Sequence, residues 1–117
     1  MLGDLEATRD WGFAGDYVEA MRLMIAADEP RDFVIATGES HTVREVCEIA
    51  FARAGLDWQR YVKVDETFKR PPESVPRVGN AARARRELGW APSVGFEQLV
   101  VSLVDADQAA LLRHASE

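Results

Sequence analysis

Residues 33–45 read FVIATGESHTVRE, and two different periodicities meet inside that stretch. Phe33 to Thr37 form a short, nearly all-apolar run that Gly38 ends. Such a run suits a strand covered on both faces, as in a parallel sheet. Past Gly38 the pattern turns helical. Thr42 and Glu45 stand at the spacing of a capping box, in which the hydroxyl caps the helix start and the glutamate reaches back. Val43, Val46, Cys47, Ala50 and Ala54 then fall on one side of a helix that Gly55 stops. A buried strand running into an amphipathic helix points to an α/β protein.

Working outward, residues 14–28 place Tyr17, Val18, Met21, Met24 and Ile25 on one helical face, and Pro30 closes that segment. Downstream, YVKV at 61–64 predicts a second short strand. Residues 67–78 carry Pro71, Pro72 and Pro76 and predict an extended, irregular segment. Asn80 is placed to cap AARARREL, which Gly89 ends. A final helix is predicted from Phe96 to Leu112, with Phe96, Leu99, Val100, Leu103 and Leu111 apolar. Two strands make a poor sheet, and a lone central strand leaves its N–H and C=O groups unpaired. The expected organisation is a piece of a larger α/β protein, mostly helical with a few short strands.

Composition narrows the function. The chain has 117 residues, enough for one small domain, and 47% hydrophobic residues, too many for a disordered tail. A net charge of -6 argues against nucleic acid, whose partners are usually basic. The single Cys47 permits no internal disulfide and fits a reducing cytoplasm. No stretch approaches the roughly 18 apolar residues of a membrane span, and the N-terminus lacks a signal-peptide core. The expectation is a soluble, cytoplasmic chain.

Candidate chemistry sits in a few places. Gly12-Phe13-Ala14-Gly15 opens a helix, but no strand precedes it and the third glycine of a dinucleotide fingerprint is absent. Arg9-Asp10-Trp11 offers a planar guanidinium suited to phosphate or carboxylate, and a surface salt bridge to Asp10 or Asp16 fits it as well. Arg70-Pro71-Pro72-Glu73 holds a cation and an acceptor on a stiff loop, or is simply structural. Arg83, Arg85 and Arg86 read as a solvated helix face. His41 and His114 have no ligand partners at metal spacing, so no metal site is expected. Cys47 reads as core. Neither Tyr17 nor Tyr61 has a lysine four residues on, and no residue qualifies as catalytic.

Taken together, LGDLEATRDWGFAGDYVEAM at 2–21, DEPRDFVIATGESHTVREV at 28–46 and RPPESVPRVGNAARARRELGW at 70–90 carry a resemblance. The chain resembles the C-terminal third of the GDP-mannose 4,6-dehydratases, which are extended short-chain dehydrogenase/reductases. The resemblance implies a C-terminal fragment of an extended Rossmann-type fold, with residues 1–117 as a single substrate-binding domain. It implies an N-terminal Rossmann domain upstream that binds NADP and carries the catalytic groups, so that this chain alone binds no cofactor. The implied reaction oxidises the sugar of GDP-mannose at C4, removes water across C5 and C6, and returns the hydride at C6. The product is GDP-4-keto-6-deoxy-mannose, a precursor of fucose.

By position, the resemblance assigns Arg9 to the substrate diphosphate, and Arg70 and Glu73 to the phosphate and ribose of GDP. Its implied partners are the nucleotide end of GDP-mannose and either the N-terminal Rossmann part or an intact dehydratase. The chain departs from the family pattern at Asp4, where asparagine is usual, at Phe13, where histidine is usual, and across Ser74–Arg77. A stand-alone nucleotide-sugar-binding or interaction module and an inactive remnant are the alternative readings.

Overall fold

A computed structural model describes residues 2–68 and 78–115. The described elements are β1 (Thr8–Arg9), α1 (Ala14–Ala26), β2 (His41–Thr42), α2 (Val43–Arg53), α3 (Trp58–Tyr61), a 3-10 turn (Glu66–Phe68), α4 (Ala82–Leu88) and α5 (Phe96–Ala115). β1 and β2 pair as a two-stranded sheet. The described residues are thus mostly helical with very short strands, as expected. They divide into two compact units, one of residues 2–7, 42–68 and 97–115, the other of residues 8–41 and 78–96.

The first unit is organised by α2. Thr42 Oγ1 accepts from the Glu45 backbone N–H at 3.1 Å, so the cap stands where the sequence places it. At the other end Gly55 adopts φ +76°, the left-handed conformation that glycine tolerates best. There Leu56 N–H donates to the Phe51 carbonyl at 2.8 Å and Gly55 N–H to Ala52 at 3.1 Å. This pair of bonds is the Schellman arrangement, which satisfies carbonyls that the helix leaves open. Cys47 is buried with Leu5, Leu99 and Val100. Arg53 reaches α5 through two parallel bonds to Asp105, at 2.8 and 3.0 Å.

YVKV is only partly a strand. Tyr61 belongs to α3, while Val64 makes one parallel bridge to Leu2. Leu2 N–H donates to Lys63 at 2.8 Å and Asp65 N–H donates to Leu2 at 2.7 Å. One bridge fits because Asp57 Oδ1 accepts from Gln59 N–H at 3.1 Å, starting a helical turn that takes up Tyr61. α5 runs past Leu112 to Ala115, and Leu103 and Leu111 on it are exposed rather than core.

The second unit is built on α1 and α4. Ala20 and Ala84 are fully buried beside Trp90, with Tyr17, Leu23, Phe33, Ile35, Ala81 and Leu88 packed around them. Small residues at the helix contact leave room for the indole, whose Nε1–H donates to the Asp16 carbonyl at 2.9 Å. α4 ends at Gly89, with φ +66°, but its N-cap is Ala81 rather than Asn80, whose Oδ1 accepts from Ala82 N–H at 3.0 Å and so closes a turn one residue before the cap. Arg83, Arg85 and Arg86 are exposed, as their spacing implies.

Two further expectations fail in this unit. FVIAT forms no strand. A strand exists through its ladder, and among the described residues no neighbour is paired with this run. Phe33 and Ile35 turn toward the core, Ala36 is buried, and Val34 is 54% exposed. The apolar residues of α1 also split between two sides. Tyr17 joins the core, while Val18, Met21 and Ile25 lie exposed at 62%, 58% and 86%.

Candidate functional site

Asp10 stands between the two residues that first draw attention, Arg9 and Trp11, and it makes the junction of the second unit. Its Oδ1 accepts from the Thr37 hydroxyl at 2.6 Å and from Thr37 N–H at 3.0 Å. Its Oδ2 accepts from Gly38 N–H at 3.0 Å and from Gly79 N–H at 3.3 Å. One carboxylate therefore joins three chain segments. Burial works to raise its pKa, but the Thr37 hydroxyl and the N–H groups of Thr37, Gly38 and Gly79 outweigh it and hold the carboxyl below its ordinary value. Asp10 is ionised at neutral pH.

The glycines at this junction are there for space and conformation. Gly38 has φ +83°, which turns its N–H toward the carboxylate. A Cβ at Gly79 would collide with the Ala36 Cβ and stand 3.2 Å from Val34 Cγ1. Gly79 thus packs directly on the backbone run that precedes Thr37. It also lies two residues past the end of the segment 69–77, in which Arg70 and Glu73 occur.

Arg9 is half-buried in β1, and its Nη1 donates to the Thr8 carbonyl at 2.7 Å. Trp11 Nε1–H donates to the His41 carbonyl at 2.9 Å. The His41 ring stacks on Phe96 with centroids 3.8 Å apart, and Trp11 tilts against the same Phe96 at 6.5 Å. Directly after β1, the Arg9-Asp10-Trp11 triplet is therefore anchored through Asp10 and Trp11. Arg70 and Glu73 lie outside the described residues. Asp4 caps its own turn, with Oδ1 accepting from Glu6 N–H at 2.9 Å.

The Gly12–Gly15 turn does not fit a dinucleotide phosphate. A Cβ at Gly12 would meet the Tyr17 hydroxyl, and one at Gly15 would meet the Phe13 ring. The open sides of both glycines are filled by the chain's own aromatics. Tyr17 is held above its ordinary pKa, first by burial and then by the charges of Asp10 and Asp16, so it stays a phenol at neutral pH. Among the described residues no group of acidic, histidine or cysteine side chains could hold a metal ion. None of their helices is long and apolar enough to cross a membrane.

A family model described as GDP-mannose 4,6 dehydratase matches residues 1–103. The chain belongs to the GDP-mannose 4,6-dehydratase family. It is 52% identical over 106 residues to GDP-mannose 4,6 dehydratase 2 of Arabidopsis thaliana, covering 91% of this chain and 28% of that one. To the GDP-mannose 4,6 dehydratase of Homo sapiens it is 44% identical over 123 residues, covering 91% and 33%. The chain thus spans about a third of the length of the curated relatives it matches.

Solved structures carry the same fold. The dTDP-glucose 4,6-dehydratase of Bacillus anthracis, in complex with NAD, superposes with a TM-score of 0.80 at 20% identity, over 92% of this chain and 33% of that one. The Thermus thermophilus UDP-glucose 4-epimerase, also with NAD, gives a TM-score of 0.71 at 30% identity over 90% and 32%. These neighbours are Rossmann-type extended short-chain dehydrogenase/reductases, so the expected fold class holds.

Sequence reasoning singled out Arg9 in the dehydratase triplet and passed over Asp10, Thr37 and Gly79. A signal was available. An aspartate between an arginine and a tryptophan needs an acceptor's partners, and Thr37-Gly38 and Gly79 each offer an N–H at a point where the chain turns.

Proposed function

We propose that this chain is the C-terminal, nucleotide-binding part of a GDP-mannose 4,6-dehydratase, which converts GDP-mannose to GDP-4-keto-6-deoxy-mannose. The family match over residues 1–103 carries this reading. Arg9 serves the substrate diphosphate, and Arg70 and Glu73 serve the phosphate and ribose of GDP. A guanidinium suits the first task because its planar donors match phosphate oxygens, and a carboxylate suits sugar hydroxyls because it only accepts. The anchoring of the Arg9 strand by Asp10 and Trp11 supports the assignment, since a binding cation must be held in place.

The catalytic groups and the NADP site belong to a Rossmann part that completes the enzyme. When bound, NADP supplies hydride removal and return. The chain by itself turns over no GDP-mannose and works in the cytoplasm with that partner. Support for an apolar partner comes from Val18, Met21 and Ile25, which line one exposed side of α1.

The test is reconstitution. The chain is co-expressed with the Rossmann part of a family dehydratase, and conversion of GDP-mannose and GDP binding are both measured. Turnover with both parts and none with either alone is expected. Absence of both turnover and GDP binding in the reconstituted protein would sink the proposal.

A further inference from the structure

We propose that Asp10 is a positioning residue for the diphosphate contact: its carboxylate clamps the backbone directly after Arg9 onto Thr37, Gly38 and Gly79, and so fixes the direction in which the Arg9 guanidinium is presented. The inference rests on the GDP-binding reading above and adds to it a residue that no resemblance assigned.

Three observations carry it. β1 is only two residues long, too short for its own ladder to hold Arg9 in place. The next residue supplies what the strand lacks, since Asp10 accepts from Thr37 Oγ1 and from the N–H groups of Thr37, Gly38 and Gly79 at 2.6–3.3 Å. The guanidinium is itself tied to that strand, with Nη1 donating to the Thr8 carbonyl at 2.7 Å, so it follows the backbone that Asp10 fixes. The donors are well seated, because Gly79 has no room for a side chain above Ala36. Asparagine in place of Asp10 would accept through one oxygen only and turn an amide donor toward N–H donors, which opens part of the clamp. Charge alone predicts the opposite outcome. A carboxylate one residue from a diphosphate-binding arginine repels the anion, so removing it would tighten GDP if Asp10 had no part in positioning.

The test measures the preference for GDP over guanosine, by ligand-observed NMR competition, in the full chain reconstituted with the Rossmann part. Both probes carry the guanine and the ribose, and only GDP carries the diphosphate. Arg9→Ala is expected to cut the preference about tenfold, the scale of one hydrogen bond to a charged group. Asp10→Asn is expected to cut it about three- to tenfold while guanosine binding stays within about twofold. Combined with Arg9→Ala, Asp10→Asn is expected to add less than about twofold, because the group it positions is gone.

A folded Asp10→Asn protein with an unchanged or raised preference, whatever its melting temperature, overturns the inference and leaves the GDP reading standing. So does an equal loss with and without Arg9, or an Arg9→Ala protein with undiminished preference. An unsubstituted protein that binds neither probe overturns both. If Asp10→Asn does not fold, Thr37→Val removes the 2.6 Å hydroxyl bond and keeps both the Asp10 charge and the N–H bonds. It is expected to cut the preference about threefold, and an unchanged preference there overturns the inference equally.

Discussion

Ser93 and Asp16 are bound to each other by both side chain and backbone. Ser93 Oγ donates to Asp16 Oδ1 at 2.5 Å and Ser93 N–H to Oδ2 at 3.0 Å, with Val94 N–H on the same oxygen at 3.1 Å. The carboxylate thus fastens the first turn of α1 to the loop before α5. Burial works to raise its pKa, and the three donors from Ser93 and Val94 more than reverse this, so it lies below the ordinary value.

Acid should therefore unfold the second unit through Asp16 and Asp10 together. Both carboxyls have lowered pKa values against an ordinary 3.8, so the unfolded chain takes up their protons first. Their stabilisation is complete above 3.8 and is lost as pH falls below it through the folded values. The urea midpoint should hold steady from neutral pH to about pH 5 and fall below about pH 4. Asp16→Asn should lower the midpoint at neutral pH and flatten the acid limb. An unaltered acid limb in the double variant Asp10→Asn/Asp16→Asn would rule this out.

Trp90 should be the costliest single truncation of the same unit. Its indole is 3% exposed in the Ala20–Ala84 contact and bonds the Asp16 carbonyl. Trp90→Ala should cost about 3–5 kcal/mol, and Trp90→Phe less, because the ring volume is partly kept. Chemical denaturation of the reconstituted protein measures both, and equal costs would contradict the packing described.

The cap on α2 is open to a smaller test. Thr42→Ala removes the acceptor of the Glu45 N–H and should cost about 1 kcal/mol, while Thr42→Ser should recover most of it. Circular dichroism melts decide it, and an Ala variant as stable as the Ser variant would show the cap to be idle.

GDP affinity should depend on the arginines. Arg70→Ala in the reconstituted enzyme should weaken GDP by about 1.5–3 kcal/mol, the scale of a charged hydrogen bond. Arg9→Ala should act in the same direction. Calorimetric titration with GDP gives the answer, and unchanged affinity for either variant removes that residue from the site.

Alone, the chain should be sticky. Val18, Met21 and Ile25 expose an apolar stripe at the spacing of one helix side. The isolated chain should bind a hydrophobic dye and self-associate, and Met21→Lys/Ile25→Lys should reduce both. A clean monomer with a cooperative melt would argue for a stand-alone module instead.

Local features were legible in advance because their causes are local. Thr42 and Gly55 bound α2, and Gly89 ends α4, through hydrogen bonds and backbone conformations reaching only a few residues along the chain. Cys47 was legible as core from helical spacing. The apolar content of FVIAT was also legible, but not its state, because a strand depends on partners elsewhere. The division of α1 between Tyr17, which is packed, and Val18, Met21 and Ile25, which are not, depends on what lies against each side.

By itself the sequence determined α1, α2, α4 and α5, the Thr42 cap and Gly55 stop of α2, the Gly89 end of α4, and the family, since these follow from residue order and short spacings. Tertiary structure alone decided that Asp10, rather than Arg9, is the hub of the junction. Its partners Thr37, Gly38 and Gly79 lie 27, 28 and 69 residues away. No periodicity records a hydrogen bond between such distant groups. It forms because a half-buried carboxylate must find donors, and the folded chain brings two turning segments, Thr37-Gly38 and Gly79, to where they can supply them.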